Sequence, residues 1–486
     1  MKLLFAASEI APFFRTGGLA EVAGSLPAAL AGLGVEVRAV MPLYQGIGQE
    51  YRDRMKLVTT FQVQLSWRSQ YCGVYELSHN GVTHYFLDNE YYFKRPMAYG
   101  EFDDGERFAF FSRAILELPA HVGFTPDVIH CNDWQTGLVP VYLDIAKRHD
   151  PKLSAIKTVF TIHNIEYQGK YDGMLLGDVF GIPSEYEHLL QYDGALNLMK
   201  GAIVTADRVT TVSPTYSCEI MSPEFAQGLH GILNAHSGKL SGILNGIDVN
   251  AYNPETDRSL FANYTKDQPE GKARNKLQMQ KMLGLTSDPS VPMIGIISRL
   301  TGHKGIDLIA GAMEGLLSEN IQLVVLGTGD WRYEQMFTDL ACKHPGKVSA
   351  SIVFSNDLSR KIYGASDLFL MPSRSEPCGL AQMIALRYGA LPIVRETGGL
   401  ADSIHSVSDD GAAGNGFTFA PYSSTDMLYT IRRALSFYAN RPLWHTLFER
   451  AMECDFSWAS SAGQYLKVYQ EAMGAAPNDQ TKQVSG

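Results

Sequence analysis

Residues 293–309 read M-I-G-I-I-S-R-L-T-G-H-K-G-I-D-L-I. An uncharged, β-branched run ends at Ser298. Two glycines, an arginine and a lysine follow, and an apolar helical pattern then begins. A strand without polar alternation is buried on both faces, as strands of a parallel sheet are. The turn at its carboxyl end is where open α/β sheets hold ligands. Arg299 and Lys304 lie on that turn. They are either two exposed cations or a diphosphate site, with a guanidinium fork and an ammonium point charge.

The same strand-then-helix unit recurs on both sides. Downstream are I-Q-L-V-V-L (321–326), V-S-A-S-I-V-F (348–354), D-L-F-L-M (367–371) and L-P-I-V (391–394). Upstream are K-L-L-F-A (2–6), V-E-V-R-A-V-M (35–41), D-V-I-H-C (127–131), K-T-V-F-T-I-H (157–163) and R-V-T-T-V (208–212). Two such sets predict two doubly wound α/β domains, and 486 residues are too many for one core. The turn-rich N-G-I-D-V-N-A-Y-N-P-E-T-D (245–257) lies between the sets and predicts a hinge. The expected domains are therefore 1–245 and 246–456. Residues 57–65 and 71–77 alternate like an added antiparallel hairpin, and 262–276 predicts the start of a solvated helix. The tail 474–486 has little to bury and is expected to fray.

Composition excludes several functions. Hydrophobic residues make up 45% and charged residues 19%, as in globular enzymes. A net charge of −10 argues against nucleic acid or an anionic membrane as partner. The opening M-K-L-L-F-A-A-S-E-I reads as a first strand rather than a signal peptide, because Glu9 interrupts a short apolar run. Six scattered cysteines make no C-x-x-C pair, so reduced thiols in a cytoplasm are expected.

The pentapeptide T-G-G-L-A occurs at 16–20 and again at 397–401. Each copy follows a strand-like run and opens a helix, where unpaired N–H groups suit an anion. A tight turn without a ligand is the other reading. Arg15 precedes the first copy and favours phosphate near Gly17 and Gly18; Glu396 precedes the second and favours a structural turn at Thr397. Pro27 predicts a kink or restart in the helix after the first copy. Near the second copy, S-R-S-E-P-C-G-L (373–380) sets Glu376 at the tip of a turn, as a helix-start carboxylate or as a grip on sugar hydroxyls.

R-T-G-G-L-A-E, H-x-x-D-W, H-N-I-E-Y-Q-G, N-G-I-D, S-R-L-x-x-x-K-G and E-P-C-G-L occur in this order. Together they resemble the bacterial glycogen synthases and plant starch synthases, from Lys2 to about Gln470. The resemblance implies a GT-B fold: two Rossmann-like domains facing a deep cleft, with the helix around 457–473 crossing back to the first. It implies retaining transfer of glucose from ADP-glucose to the non-reducing end of an α-1,4-glucan. It also implies roles. Arg299 and Lys304 would hold the diphosphate, with Gly17 and Gly18 approaching it and Arg15 beside it. Glu376, Cys378, Gly379 and Leu380 would meet the glucose. His163 would reach the glucose from the first domain, and Asn245 and Thr397 would lie beside the donor. Asp133 and Trp134 would line the acceptor side. Apart from the resemblance, the aromatic group that includes Tyr92 and Tyr99 reads either as core or as an acceptor-side face on which sugar rings stack. This chain has Arg15 and Glu21 where the family usually has Lys and Asp, and Lys94 where Asp is more usual. Those departures bear on donor preference and acceptor grip, leaving UDP-glucose open as a donor.

No D-x-D is present to hold a diphosphate's cation, so no metal or other cofactor is expected. No enzyme nucleophile stands out, and a same-face substitution through an oxocarbenium-like state is expected, the departing phosphate drawing the acceptor proton. Cys378, with no histidine beside it in sequence, reads as a small side chain of the pocket. The rivals are another donor or acceptor on the same fold, a non-catalytic sugar-nucleotide sensor, and a phosphorylase that would need pyridoxal phosphate on a lysine.

Overall fold

The structure, a computed structural model, describes residues 1–474. Apart from Gly474, the segment expected to fray lies outside the described residues. The chain divides into two compact units: Met1–Ile243 together with the chain from Trp458 onward, and Leu244–Ser457.

The first unit carries β1 (Lys2–Ala6), β2 (Glu36–Pro42), β3 (Lys56–Leu65), β4 (Arg68–His79), β5 (Val82–Asp88), β6 (Val128–Asn132) and β7 (Lys157–Ile162). After them come β8 (Lys170–Tyr171), β9 (Gln191–Tyr192), β10 (Ala195–Asn197), β11 (Arg208–Thr211) and β12 (Leu240–Gly242). Nine of these form one sheet in the order β12-β11-β7-β6-β1-β2-β5-β4-β3. Pairing is parallel from β12 to β5 and antiparallel through β4 and β3. The strand order reverses at β1, so β1 and β6 flank the switch point. Leu3, Leu4 and Phe5 are at most 1% exposed, as a central strand covered on both faces requires.

Two expectations need correcting here. The hairpin is a three-stranded unit, because β5 follows β4 through Asn80-Gly81, both at positive φ (48° and 76°). Asn-Gly between strands is the strongest short hairpin signal, and the sequence reading passed over it. The helix Gly18–Gly32 also runs through Pro27 without interruption. One ladder bond is lost there, while buried Leu19, Val22, Leu26 and Leu30 hold the same face on the sheet. Helix Trp458–Ala472 belongs to this unit: the Tyr469 hydroxyl lies 2.8 Å from His130 Nδ1.

The second unit holds β13 (Met293–Ile297), β14 (Gln322–Leu326), β15 (Val348–Ser351), β16 (Leu368–Met371), β17 (Leu391–Arg395) and β18 (Phe417–Phe419). They form one all-parallel sheet in the order β15-β14-β13-β16-β17-β18. Its switch point lies between β13 and β16. Alternate residues feed opposite cores: Ile294 and Ile296 one cluster, Met293 the other. The polar segment 262–276 leads into helix Glu270–Met282, which is not simply solvated, since Asn275 and Lys276 are buried and hydrogen-bonded. Among the described residues no helix is long and apolar enough to cross a membrane.

Candidate active site

In the first unit, the loops leaving β1, β6 and β7 carry the predicted residues at the switch point, where ligands of such sheets bind. Gly17 caps helix Gly18–Gly32, and no side chain closes that cap. Among the described residues nothing lies within 4 Å of a Cβ placed on Gly18. The helix start therefore has open space for a ligand. Arg15 is ion-paired with Glu21 at 2.8 Å, so the two departures from the family pattern meet each other.

Glu9 does more than interrupt an apolar run: it organises this loop. It is 3% exposed, and one carboxylate oxygen accepts from Thr16 N (2.6 Å) and Thr16 Oγ1 (2.5 Å). Burial raises its pKa, and hydrogen bonds from the loop oppose that rise. The signal available in sequence was a charged residue three positions after the buried apolar run Leu3–Ala6.

Asp133 follows β6 with φ at 54°, a conformation that side chains other than glycine rarely adopt. Its carboxylate accepts from His163 N at 2.8 Å, and burial pushes its pKa up to about 7. His163 lies 2.8 Å from Asn132 Oδ1 through Nε2. The Asn132 amide nitrogen donates to Ala6 O, which orients that oxygen as acceptor and leaves the proton on Nε2. Burial lowers the His163 pKa to about 3, so the ring is neutral at pH 7. Trp134 packs edge-on to Phe108 at 5.2 Å. Tyr99 OH lies 2.8 Å from Ser8 Oγ.

Tyr92 does not have the position expected of an acceptor platform. It is 0% exposed, its hydroxyl donates to Glu106 at 2.5 Å, and it serves the core. The exposed ring beside it is Tyr91. Lys94 is ion-paired with Glu90 at 3.2 Å.

In the second unit, the turns after β13 and β16 straddle the switch point. Lys304 Nζ lies 2.7 and 3.0 Å from the two oxygens of Glu376, and Ser373 Oγ donates to the same carboxylate at 2.9 Å. A cation expected at the diphosphate and an acid expected at the sugar are thus one ion pair. Arg299, earlier on the turn after β13, is exposed and, among the described residues, forms no ion pair. Gly305 has φ at 75°, and a Cβ there would lie 2.0 Å from Pro372 O, which fixes the lysine turn against the end of β16.

The second T-G-G-L-A is explained by the same packing. A Cβ on Gly398 would meet Glu376 O at 2.0 Å, and one on Gly399 would meet Cys378 O at 2.2 Å. Gly399 N donates to Glu376 O at 3.1 Å. This copy clamps the acidic turn, whereas the first leaves space empty. Thr397 caps the short helix Gly398–Ser403, while Gly379 and Leu380 lead into helix Ala381–Arg387. Burial pushes the Cys378 thiol up to about 12, so it is no thiolate nucleophile at neutral pH. The Asn245 backbone hydrogen-bonds to Cys378, and its side-chain Oδ1 is buried with no partner among the described residues. Phe354, 78% exposed just after β15, was read as part of a buried strand; its exposure could not be seen in an apolar run. Among the described residues no group of three or more His, Cys, Asp or Glu could hold a metal ion.

Solved structures share this arrangement. The catalytic domain of starch synthase IV from Arabidopsis thaliana, solved with ADP and acarbose, superposes with TM-score 0.88 at 37% identity, covering 97% of this chain and 99% of that one. A sucrose-phosphate synthase from Thermosynechococcus elongatus shares the fold alone, at TM-score 0.61 and 16% identity. The molecule is a glycosyltransferase of GT-B architecture, two Rossmann-like domains in one chain. Residues 2–235 match the starch synthase catalytic domain model and residues 284–442 the glycosyl transferases group 1 model. The chain is 52% identical to a glycogen synthase of Clostridium novyi over 472 residues, and 50% identical to one of Geobacillus stearothermophilus over 474, each covering at least 96% of both sequences. It belongs to the glycogen synthase and starch synthase family.

Proposed function

We propose that the protein transfers glucose from ADP-glucose to the non-reducing end of an α-1,4-glucan, with retention, releasing ADP and needing no metal. The observation that carries this reading is the Lys304–Glu376 pair at the switch point of the second unit. It joins a group suited to a departing diphosphate to a group suited to sugar hydroxyls. Arg299 adds a second cation on the turn after β13. Positive charge there is felt most as the leaving phosphate gains charge, which lowers the barrier rather than only tightening binding. The ADP bound by the Arabidopsis relative favours an adenine nucleotide as donor.

A neutral His163 can hold a sugar hydroxyl without adding charge to an oxocarbenium-like state. The protonated Cys378 is a neutral wall. With no nucleophile among these groups, the departing phosphate takes the acceptor proton as the new bond forms on the same face. Asp133, with Trp134 beside it, serves the acceptor side. Six free thiols fit a reducing cytoplasm.

The test is nucleotide release by purified protein with ADP-glucose or UDP-glucose, with and without glycogen, repeated on Arg15→Lys. ADP release that requires glycogen, with little UDP release, is expected. Release without glycogen, or a preference for UDP-glucose, overturns the corresponding half of the proposal.

A further inference from the structure

The groups described so far in the second unit lie at the carboxyl ends of its strands. A cavity of about 240 Å³ lies at the opposite, amino ends, bordered by Pro289 ahead of β13 and Asp367 ahead of β16. The first two turns of helix Glu270–Met282 and the first of helix Arg441–Glu453 wall it, bringing in Lys272, Lys276, Arg441 and Trp444. Both helices bring their amino ends, the positive ends of their dipoles, to the cavity; in the second, Asn440 accepts from Leu443 N and Pro442 has no N–H, so the attraction for an anion there is that of the dipole and of the Arg441 side chain.

The charges are unevenly spent. Lys276 is fully engaged: its Nζ donates to Asp367 at 2.6 Å, Tyr438 OH at 2.8 Å and Pro289 O at 3.0 Å. That pair cancels the cavity's only lining carboxylate. Lys272 has carbonyls alone, Tyr388 O at 2.8 Å and Tyr363 O and Gly364 O at 3.4 Å. Arg441 donates to Ser290 O at 3.0 Å and lies 4.0 Å over the Tyr438 ring. Among the described residues neither Lys272 nor Arg441 forms an ion pair. Burial lowers the Lys272 pKa to about 7, against the attraction of Asp367, whose own ion pair is with Lys276. Of the nearby acids, Glu449 lies 3.4 Å from His445 of the cavity wall and Glu453 pairs with Lys266, while Glu270 is exposed at the start of the first helix. Tyr438 and Trp444 add apolar faces that suit a carbon skeleton.

We propose that this cavity binds a small organic phosphate, its phosphate between Lys272 and Arg441 and its carbon skeleton against Trp444. The volume is below the roughly 300–1,000 Å³ of sites for drug-sized ligands, which excludes a nucleotide sugar. Nothing in this assignment depends on the proposed reaction.

Calorimetry on the full chain tests it, with glycerol 3-phosphate and inorganic phosphate as probes and saturating ADP present to occupy the donor site. Glycerol 3-phosphate is expected to bind one per chain, at least tenfold tighter than inorganic phosphate. Arg441→Gln, at an exposed position, and Lys272→Met are each expected to weaken it at least tenfold. No heat of binding, equal affinity for inorganic phosphate, or unchanged affinity in a folded Arg441→Gln protein would overturn the proposal.

Discussion

One pentapeptide used twice allows a controlled comparison. Gly18→Ala and Gly399→Ala make the same chemical change in the same T-G-G-L-A context. At Gly399 the new methyl would lie 2.2 Å from Cys378 O and 2.5 Å from its Cα. Both are backbone atoms, so no rotamer change relieves the overlap and the acidic turn itself must shift. Overpacking of this kind costs typically about 1–3 kcal/mol; with only backbone to give way, the upper end applies. In a domain the size of Leu244–Ser457 that lowers Tm by about 6–12 °C, at about 2–4 °C per kcal/mol. At Gly18 the methyl meets nothing within 4 Å among the described residues, and the position is helical. Alanine there gains up to about 1 kcal/mol of helix propensity, so Tm stays level or rises slightly. Its methyl does occupy the space left open at the helix start, and kcat for glucosyl transfer is expected to fall at least tenfold. Thermal melts by circular dichroism and ADP release on the two purified variants make the comparison. Equal destabilisation of both, or a fully active Gly18→Ala, would refute the idea that one copy braces the fold and the other receives the ligand.

Lys304→Gln is expected to lower kcat by about 10²–10³, as loss of other anion stabilisers does, with a stable fold by melting; unchanged kcat removes Lys304 from the mechanism. Activity after exhaustive EDTA treatment is expected to stay at its starting level, and restoration of a lost activity by Mg²⁺ would disprove metal independence. Asp133 gives a pH signature. Its folded pKa, about 7, is above the unfolded 3.8, so the native state binds the extra proton and this contribution is lost as pH rises from about 4 to 7. His163 acts oppositely, its lowered pKa of about 3 removing stability as pH falls below 6.5. The Tm of Asp133→Asn relative to the parent should therefore climb between pH 4.5 and 7.5, and a flat difference would show that Asp133 titrates normally. Glu9→Gln should keep the fold, since the amide oxygen can still accept from Thr16, yet weaken the loop anchor and raise the donor KM several-fold; an unchanged KM would make Glu9 structural only.

Much of the molecule can be read along the chain, because the forces involved are local or periodic. Uncharged β-branched runs such as 293–298 and 321–326 can only be strands covered on both faces, and their alternation with helices predicts parallel pairing in each unit, to which the first sheet adds antiparallel β4 and β3. The positions of Arg299, Lys304 and Glu376 just past strand ends marked the candidate site for the same reason. What the chain could not disclose were relations set by packing between distant segments. Lys304 and Glu376 stand 72 residues apart, and only the neighbouring of β13 and β16 makes them one ion pair. Tyr92 and Phe354 are both aromatic with charged or polar neighbours within two positions, yet tertiary packing buries the first and leaves the second in solvent. The two glycine turns are nearly identical in sequence. Their different duties depend on which backbone comes within about 2 Å of a missing Cβ, a distance that only the folded chain defines.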